Sequence, residues 1–600
     1  MNPYIAPLEE MQFVLRELAD IERVRDLPDS DALVDLELTT EILSQASRFA
    51  REVLAPLDTV GDREGVRWTP DGVTTAPGFS QAYRQFVAAG WNNLSMPAEY
   101  GGQQMPELLC VAVREIFAAS NKSFCMCPDL SANAVEALML AADPWLKALY
   151  LPNLVSGRWS ATMNLTEPEA GSDVGALRTR ALPQADGTYR VFGQKIFISF
   201  GDHDLTENIV HLVLARTPGA PAGSRGISMF LVPKFLPESD GLGARNDVQC
   251  VSIEHKLGSM ASPTCTLVYG GAGEGAIGWL VGQENQGLQT MFVMMNAARL
   301  NVGQEGTAVG ERAFQQARAY ARERVQGKAI GGANESVAII RHPDVRRMLL
   351  SMRSQIEAMR ALAYLIAGAQ DLAARHPDAA VRKERQAFVD LMTPIFKGWS
   401  SETALEVTSA SIQVHGGSGY IIESGASQPF RDVRICSIYE GTTAIQANDL
   451  VERKLVRDGG AALGAWLAQV DITLQDIAVQ DSTQMRAVET ELRAALGVLR
   501  QAAAWVLAHY REQPAEVLAG AVPFLRMTGV VAGGWQMARA ALAAQRLMAD
   551  GGGVESEAFL RAKLASAVFY ATHVLPQAAG LAHTVMTGGA AVLALDEADF

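Results

Sequence analysis

Glu440 is the one charged residue in Ser437-Ile-Tyr-Glu-Gly-Thr-Thr443, with Tyr439 before it and Gly441 after it. A carboxylate flanked by a ring and a glycine can act as a general base towards a weak acid. Apolar surroundings raise its proton affinity towards the working pH, and the glycine leaves room for a reactant. A solvated turn glutamate looks the same locally, so other residues must decide. Three further segments bear on the question. Leu165-Thr-Glu-Pro-Glu-Ala-Gly-Ser-Asp173 is a Gly/Pro loop with hydroxyls at Thr166 and Ser172, able to bring backbone N–H groups to a ligand. In Gly193-Gln-Lys-Ile-Phe-Ile-Ser199, Phe197 and Ser199 alternate and so share a strand face, an aromatic beside a hydroxyl that could hold a planar ring. Gln413-Val-His-Gly-Gly-Ser-Gly-Tyr420 has glycines at 416, 417 and 419 that permit close backbone approach to phosphate or sugar. It is not a strand-turn-helix GxGxxG unit, so a Rossmann dinucleotide site is not supported.

The elements that must position these residues change character along the chain. After an N-terminal extension (1–40), residues 41–160 read as helical, with Ile42, Ala46, Phe49 and Val53 at helical spacing and Pro56 closing that segment. Several short helices are expected next, separated by GWNNLSMPAEYGG and DPWLKALYLPNLVSG. Residues 161–282 read as a small antiparallel β domain: TYRVFGQKIFIS, NIVHLVLAR, GISMFLVP and TCTLVYG are β-branched and aromatic runs cut by Gly, Pro, Asp and Asn. Residues 283–455 return to helical period, with one long helix through MFVMMNAARLNVGQEGTAVGERAFQQARAYARERV and another around Met348–Ala367. The break VRDGGAALG opens an additional helical domain, 456–600, in which Met485, Val488, Leu492, Leu496 and Leu499 form an apolar stripe. The expected class is mainly α with a small central β domain.

The chain has 600 residues and a net charge of −15, which disfavours nucleic acid as a main partner. Its six cysteines lack disulfide-like spacing, as in a reducing compartment, and Cys125-Met-Cys127 is too close-set for a metal site. No signal pattern opens the chain and no apolar run reaches spanning length, so no transmembrane segment and a cytoplasmic location are expected.

Together, in this order, the four motifs resemble the acyl-CoA dehydrogenase family, over roughly residues 40 to 455. The resemblance implies a helical/β/helical architecture and FAD-dependent α,β-dehydrogenation of an acyl-CoA thioester to the trans-2-enoyl-CoA. Glu440 matches the family's base, taking the α proton while a hydride leaves the β carbon for flavin N5. Its own N–H is implied as an oxyanion donor to the thioester carbonyl. Leu165, Thr166 and Ser172 match the first flavin loop, and Phe197 and Ser199 the positions flanking the isoalloxazine. Thr442 matches a cofactor contact, while Arg324, Gln413, Gly416 and Gly417 match a dinucleotide site shared with a neighbouring subunit. Ser172, Asn296, Arg299, Tyr439 and Gly441 match substrate positions. Ala298 occupies the position from which some relatives take their base, which leaves Glu440 without a rival. Arg324-Val-Gln-Gly-Lys328 departs from the family's pattern by lacking a Phe and one residue, which weakens the carry-over of adenine-side contacts, including Gln326 and His342.

The segment 456–600 resembles the extension of the larger family members that act on long-chain or methylthiopropionyl thioesters, and implies a homodimer. Electron-transfer flavoprotein is the implied electron acceptor. An acyl-CoA oxidase is the alternative within flavoenzymes, and a non-catalytic scaffold the alternative outside them. A nucleic-acid scaffold needs a basic face, whereas 456–600 holds ten Lys and Arg against fourteen Asp and Glu.

Overall fold

A computed structural model describes residues 4–28, 30, 35–238, 241–331, 335–551 and 553–600. It forms two compact units: Met1–Ser47 with Pro106–Ala119 and Val302–Phe600, and Arg48–Met105 with Ser120–Asn301.

The second unit is built on an eight-stranded sheet. Its order is Val248–Ile253, Thr264–Tyr269, Tyr189–Ser199, Ala276–Val281, Ser228–Pro233, Asn208–Ala215 and Trp159–Asn164, with Arg180–Pro183 also pairing to Tyr189–Ser199. All four runs expected as strands are strands. The sheet is antiparallel except at one edge, where Trp159–Asn164 runs parallel to Asn208–Ala215. The 43 residues between these two strands cross the sheet as Arg180–Pro183 and Tyr189–Ser199 before returning, which is the long connection a parallel pair requires. Every residue of Asn208–Ala215 is buried. Val210, Leu212 and Leu214 face a cluster containing Leu138, Leu154 and Met294, while Val213 and Ala215 face one containing Val191, Phe230 and Leu267. A strand covered on both faces loses the polar alternation of an exposed one.

Two helical expectations need correction. Pro56 does not end its segment: helix Leu36–Phe49 passes through a π turn, Ala50–Leu54, into helix Ala55–Glu64, with Pro56 in the first turn. Because the chain is already helical before it, Pro56 removes one N–H from the ladder, directly after the wider π turn. Short helices do follow, Phe79–Ala88 and Pro144–Val155 among them, but a long one lies between them. Glu107–Ala141 is continuous apart from non-helical Asn121, whose side-chain Oδ1 accepts from the Phe124 N–H and caps the onward helix. The stretch taken as a separator is itself helix Pro144–Val155.

The first unit is helical. Pro343–Arg375 and Ala379–His415 pack side by side, and both pack against Ala521–Ala549 from the C-terminal segment. That last contact is close because residue 529 is glycine; a Cβ there would lie 2.2 Å from Trp399. The stripe Met485, Val488, Leu492, Leu496 and Leu499 is buried along helix Thr483–His509. The N-terminal helix Leu8–Glu17 is fastened to the C-terminal segment. Lys563, 1% exposed, donates to Glu10 at 2.7 Å and lies 3.2 Å from Glu357; Arg16 pairs with Glu555, and Phe13 packs edge-on against Phe559. No described helix is long and apolar enough to cross a membrane.

Candidate active site

In the first unit, Glu440 lies between a short 3-10 turn, Arg434–Ser437, and helix Thr443–Asn448. Its backbone is left-handed at φ 55°, and Gly441 follows at φ 90°. A non-glycine residue there costs on the order of 1–3 kcal/mol and persists only where its surroundings fix it. The fixing groups are identifiable. Gln446 Nε2 donates to the Glu440 carbonyl at 3.1 Å and more weakly to the Gly441 carbonyl at 3.4 Å. Lys397, fully buried on helix Ala379–His415, donates to the Gly441 carbonyl at 2.5 Å. Thr442 Oγ1 accepts from the Ile445 N–H at 3.3 Å, capping the helix that follows. The Thr442 hydroxyl can still donate its proton.

Tyr439 packs against Val302, Val309, Ala404, Val433 and Cys436. Its hydroxyl donates to Glu305, and Cys436 Sγ donates to the same carboxylate oxygen at 3.4 Å. Burial, reinforced by the Glu305 carboxylate, holds the phenol well above its ordinary pKa. The remaining first-unit candidates are exposed. Arg324 leaves its helix with its side chain 3.3 Å from Gln326 Oε1, and His342 Nε2 meets the Gln326 carbonyl at 2.7 Å. Gln413, Gly416 and Gly417 lie at the C-terminal end of helix Ala379–His415, the two glycines facing open space.

In the second unit, Leu165, Thr166 and Ser172 sit on a loop anchored to strand Tyr189–Ser199. Lys195, fully buried, donates to the Leu165 carbonyl at 2.9 Å and to Glu167 at 2.7 Å. Glu167 also accepts from the backbone N–H groups of Arg178 (2.5 Å) and Thr179 (3.1 Å), and the Ile196 N–H donates to the Thr166 carbonyl at 2.9 Å. Burial pushes Lys195 down to about 8, with the Glu167 charge opposing. Burial would raise Glu167, but the lysine and the N–H donors outweigh it and hold the carboxyl below its ordinary value. The strand is not the regular alternation expected. A bulge at Ile196–Phe197 gives Phe197 φ 58° and leaves its ring 59% exposed beside half-buried Ser199. Bulges re-aim side chains in this way beside ligand sites. Asn296, exposed, accepts from Arg299 at 3.2 Å, and the Arg299 guanidinium lies 5.8 Å from the centre of the Phe292 ring.

The candidates therefore form two groups. One comprises Glu440, Tyr439, Gly441, Thr442, Arg324, Gln413, Gly416 and Gly417 in the first unit. The other comprises Leu165, Thr166, Ser172, Phe197, Ser199, Asn296 and Arg299 in the second. The sequence reading assigned no role to Glu167, Lys195, Glu305, Lys397 or Gln446. A signal existed for two of them, since Lys195 and Lys397 are lone cations within apolar runs, GQKIFIS and PIFKGW.

The chemistry of the second group suits a flavin. It offers an exposed ring on a re-aimed strand, a hydroxyl beside it, and a loop whose Gly171 faces open space next to exposed Ser172. The exposed guanidinium of Arg324 and the open glycines 416 and 417 suit a pyrophosphate.

Protein-family models match nearly the whole chain. They are the acyl-CoA dehydrogenase N-terminal domain over residues 37–158, its middle domain over 162–271, its C-terminal domain over 285–455, and an acetyl-CoA dehydrogenase C-terminal-like domain over 466–596. A 3-methylmercaptopropionyl-CoA dehydrogenase of Ruegeria pomeroyi is 46% identical over 574 residues, covering 95% of this chain and 96% of that protein. A broad-specificity linear acyl-CoA dehydrogenase of Mycobacterium tuberculosis is 34% identical, with both chains fully covered. Among solved structures, Caenorhabditis elegans ACDH-11 in complex with C11-CoA aligns at TM-score 0.76 and 19% identity, covering 96% of this chain and 93% of that one. An acyl-CoA dehydrogenase from Bacillus anthracis, complexed with FAD, aligns at TM-score 0.74 and 19% identity, covering 98% and 92%. These structural likenesses establish the fold. The four domain matches and the whole-length identities establish more: this chain belongs to the acyl-CoA dehydrogenase family of FAD-dependent oxidoreductases and carries that family's additional C-terminal domain.

Proposed function

We propose that Glu440 is the base that removes the α proton of an acyl-CoA in an α,β-dehydrogenation to the trans-2-enoyl-CoA. One observation carries the reading: among the described residues only seven non-glycines have positive φ, and Glu440 and Phe197, each assigned to the site from sequence, are two of them. Strained backbone of this kind concentrates at catalytic and ligand-holding positions.

As the Cα–H bond breaks, its electron pair forms the Cα=Cβ bond and the proton passes to the Glu440 carboxylate. FAD, when bound, supplies the acceptor for the hydride leaving Cβ. The apolar packing around Tyr439 lines one side of the half-buried base, and Gly441 keeps side-chain bulk away from it. The Glu440 N–H is the proposed donor to the thioester oxygen, where negative charge develops. Leu165, Thr166, Ser172, Phe197, Ser199 and Thr442 would hold the flavin end of the cofactor, and Arg324, Gln413, Gly416 and Gly417 its pyrophosphate end. Asn296 and Arg299 would meet the CoA thioester. The whole-length relationship to a 3-methylmercaptopropionyl-CoA dehydrogenase makes 3-methylthiopropionyl-CoA the first substrate to test, with linear acyl-CoAs second. A homodimer in the cytoplasm passing electrons to electron-transfer flavoprotein completes the proposal.

The test is anaerobic mixing of the flavin-loaded protein with a panel of acyl-CoAs, for wild type and Glu440→Gln. Wild type should bleach with its substrate. The variant should bind FAD and acyl-CoA yet reduce flavin ~100- to 10,000-fold more slowly, the span that general-base catalysis contributes. Bleaching at the wild-type rate in Glu440→Gln would remove Glu440 from the mechanism.

A further inference from the structure

The left-handed turn at Glu440 and Gly441 turns two successive carbonyls towards one set of donors. Gln446 Nε2 donates to the Glu440 carbonyl at 3.1 Å, and the fully buried Lys397 ammonium donates to the Gly441 carbonyl at 2.5 Å. In a trans peptide the carbonyl and the N–H of one unit point opposite ways. Holding these two carbonyls therefore aims the N–H groups of Gly441 and Thr442 to the other side of the turn. The same turn is tied at its flanks, by Tyr439 to Glu305 and by Thr443 Oγ1 to Glu402 at 2.5 Å. Gln446 is itself fully buried, so its amide has a fixed place from which to donate.

We propose that Lys397 and Gln446 are positioning residues that lock the turn of Glu440 in its strained conformation and so set where the carboxylate points. This rests on Glu440 being the base. Neither residue meets substrate in this account; each acts through the backbone carbonyl it holds. Lys397 serves because an ammonium on a rigid helix, buried away from water, makes a strong charge-assisted bond to a carbonyl. Gln446 serves because one Nε2 can reach both carbonyls from the helix that follows the turn. Without these donors, a left-handed Glu440 has less to hold it and relaxes towards ordinary backbone, and the carboxylate moves with it.

The experiment uses the full-length, flavin-loaded protein and the acyl-CoA that bleaches wild type most rapidly. Gln446→Glu keeps the side-chain shape but replaces the donor with an acceptor; Lys397→Met keeps length and removes the charge. Stopped-flow flavin reduction, the substrate concentration for half-maximal rate, the α-deuterium isotope effect, FAD content and Tm are measured for each. The reduction rate constant should fall ~10- to 100-fold, the loss that a misplaced catalytic group brings. The isotope effect should persist or rise, while FAD content and half-saturation stay close to wild type. An unchanged rate constant in Gln446→Glu would overturn the proposal. So would parallel losses of rate, FAD content and Tm, which mark general structural support. If Lys397→Met does not fold, Gln446→Glu alone decides. Glu440→Gln is run alongside: if it reduces flavin normally, the base assignment fails, whatever the two positioning variants do.

Discussion

At the scale of single residues, the chemistry depends on backbone conformations that cost energy. Glu440 and Phe197 are ordinary L-residues held at positive φ, at 55° and 58°. Gly441 at φ 90° is where a glycine is required, and a Cβ added there would also lie 2.6 Å from Gln446 Nε2. Gly441→Ala therefore meets strain and a clash together. It should cost ~1–3 kcal/mol and displace the Gln446 amide from the Glu440 carbonyl. The expected result is a lower Tm and slower flavin reduction, measured on the same preparation; a variant that reduces flavin at the wild-type rate would show that the turn tolerates rearrangement. The sequence pointed to Glu440 through its lack of charged neighbours. Its φ was not legible, because the choice between a left-handed and an ordinary turn is made by Gln446 and by Lys397, 43 residues upstream.

At the scale of elements, strand Tyr189–Ser199 and the loop before it form one device. Lys195 and Glu167 lie together beneath the loop, 0% and 4% exposed, and their ion pair binds the Leu165–Ser172 segment to the strand that presents Phe197. Breaking a buried pair by removing one partner costs on the order of 3–5 kcal/mol, since the other charge is left without compensation. Lys195→Met should free Glu167 and loosen the loop. The apoprotein's affinity for FAD, read by quenching of flavin fluorescence, should fall at least ~10-fold, a ~1.4 kcal/mol share of that cost. Unaltered FAD affinity in a folded variant would mean that the loop is held by its backbone bonds. The strands of this unit were legible from β-branched runs. The bulge at Ile196–Phe197 was not, because it appears only when the strand is laid against Cys265–Leu267. The long helix Glu107–Ala141 was not legible as one element, because its path depends on the Asn121 side chain capping the onward helix, which then carries Pro128 in its interior.

At the scale of the molecule, the two ends of the chain meet within the first unit. Lys563 in the C-terminal segment lies between Glu10 of the N-terminal helix and Glu357 of helix Pro343–Arg375, nearly excluded from water. Three segments from distant parts of the sequence thus converge on one buried ammonium. Lys563→Met leaves Glu10 buried without its cation and Glu357 with Arg353 alone, and should destabilise the fold by ~3–5 kcal/mol. Differential scanning calorimetry should show a lower first transition, and limited proteolysis should cut earlier at the N-terminal helix. Replacing exposed Arg493, which pairs with Glu489 one turn away on its own helix, should move neither by more than ~0.5 kcal/mol. A Lys563→Met protein as stable as wild type would show that apolar packing alone, such as Phe13 against Phe559, holds these segments together.

The sequence by itself determined the order of helical and β segments, the four motifs and their family, and the identity of the acid at 440. Each of these is carried by neighbouring residues, through periodicity, turn chemistry and spacing. Tertiary structure alone decided which strand edge runs parallel, where the 189–199 strand bulges, and that the N-terminal helix fastens to the C-terminal segment. It also decided that the turn at Glu440 is left-handed, with Lys397 and Gln446 holding its carbonyls. These features depend on donors, charges and side-chain volumes brought together from far along the chain, and a strained backbone or a buried ammonium is stable only once such partners have excluded water around it.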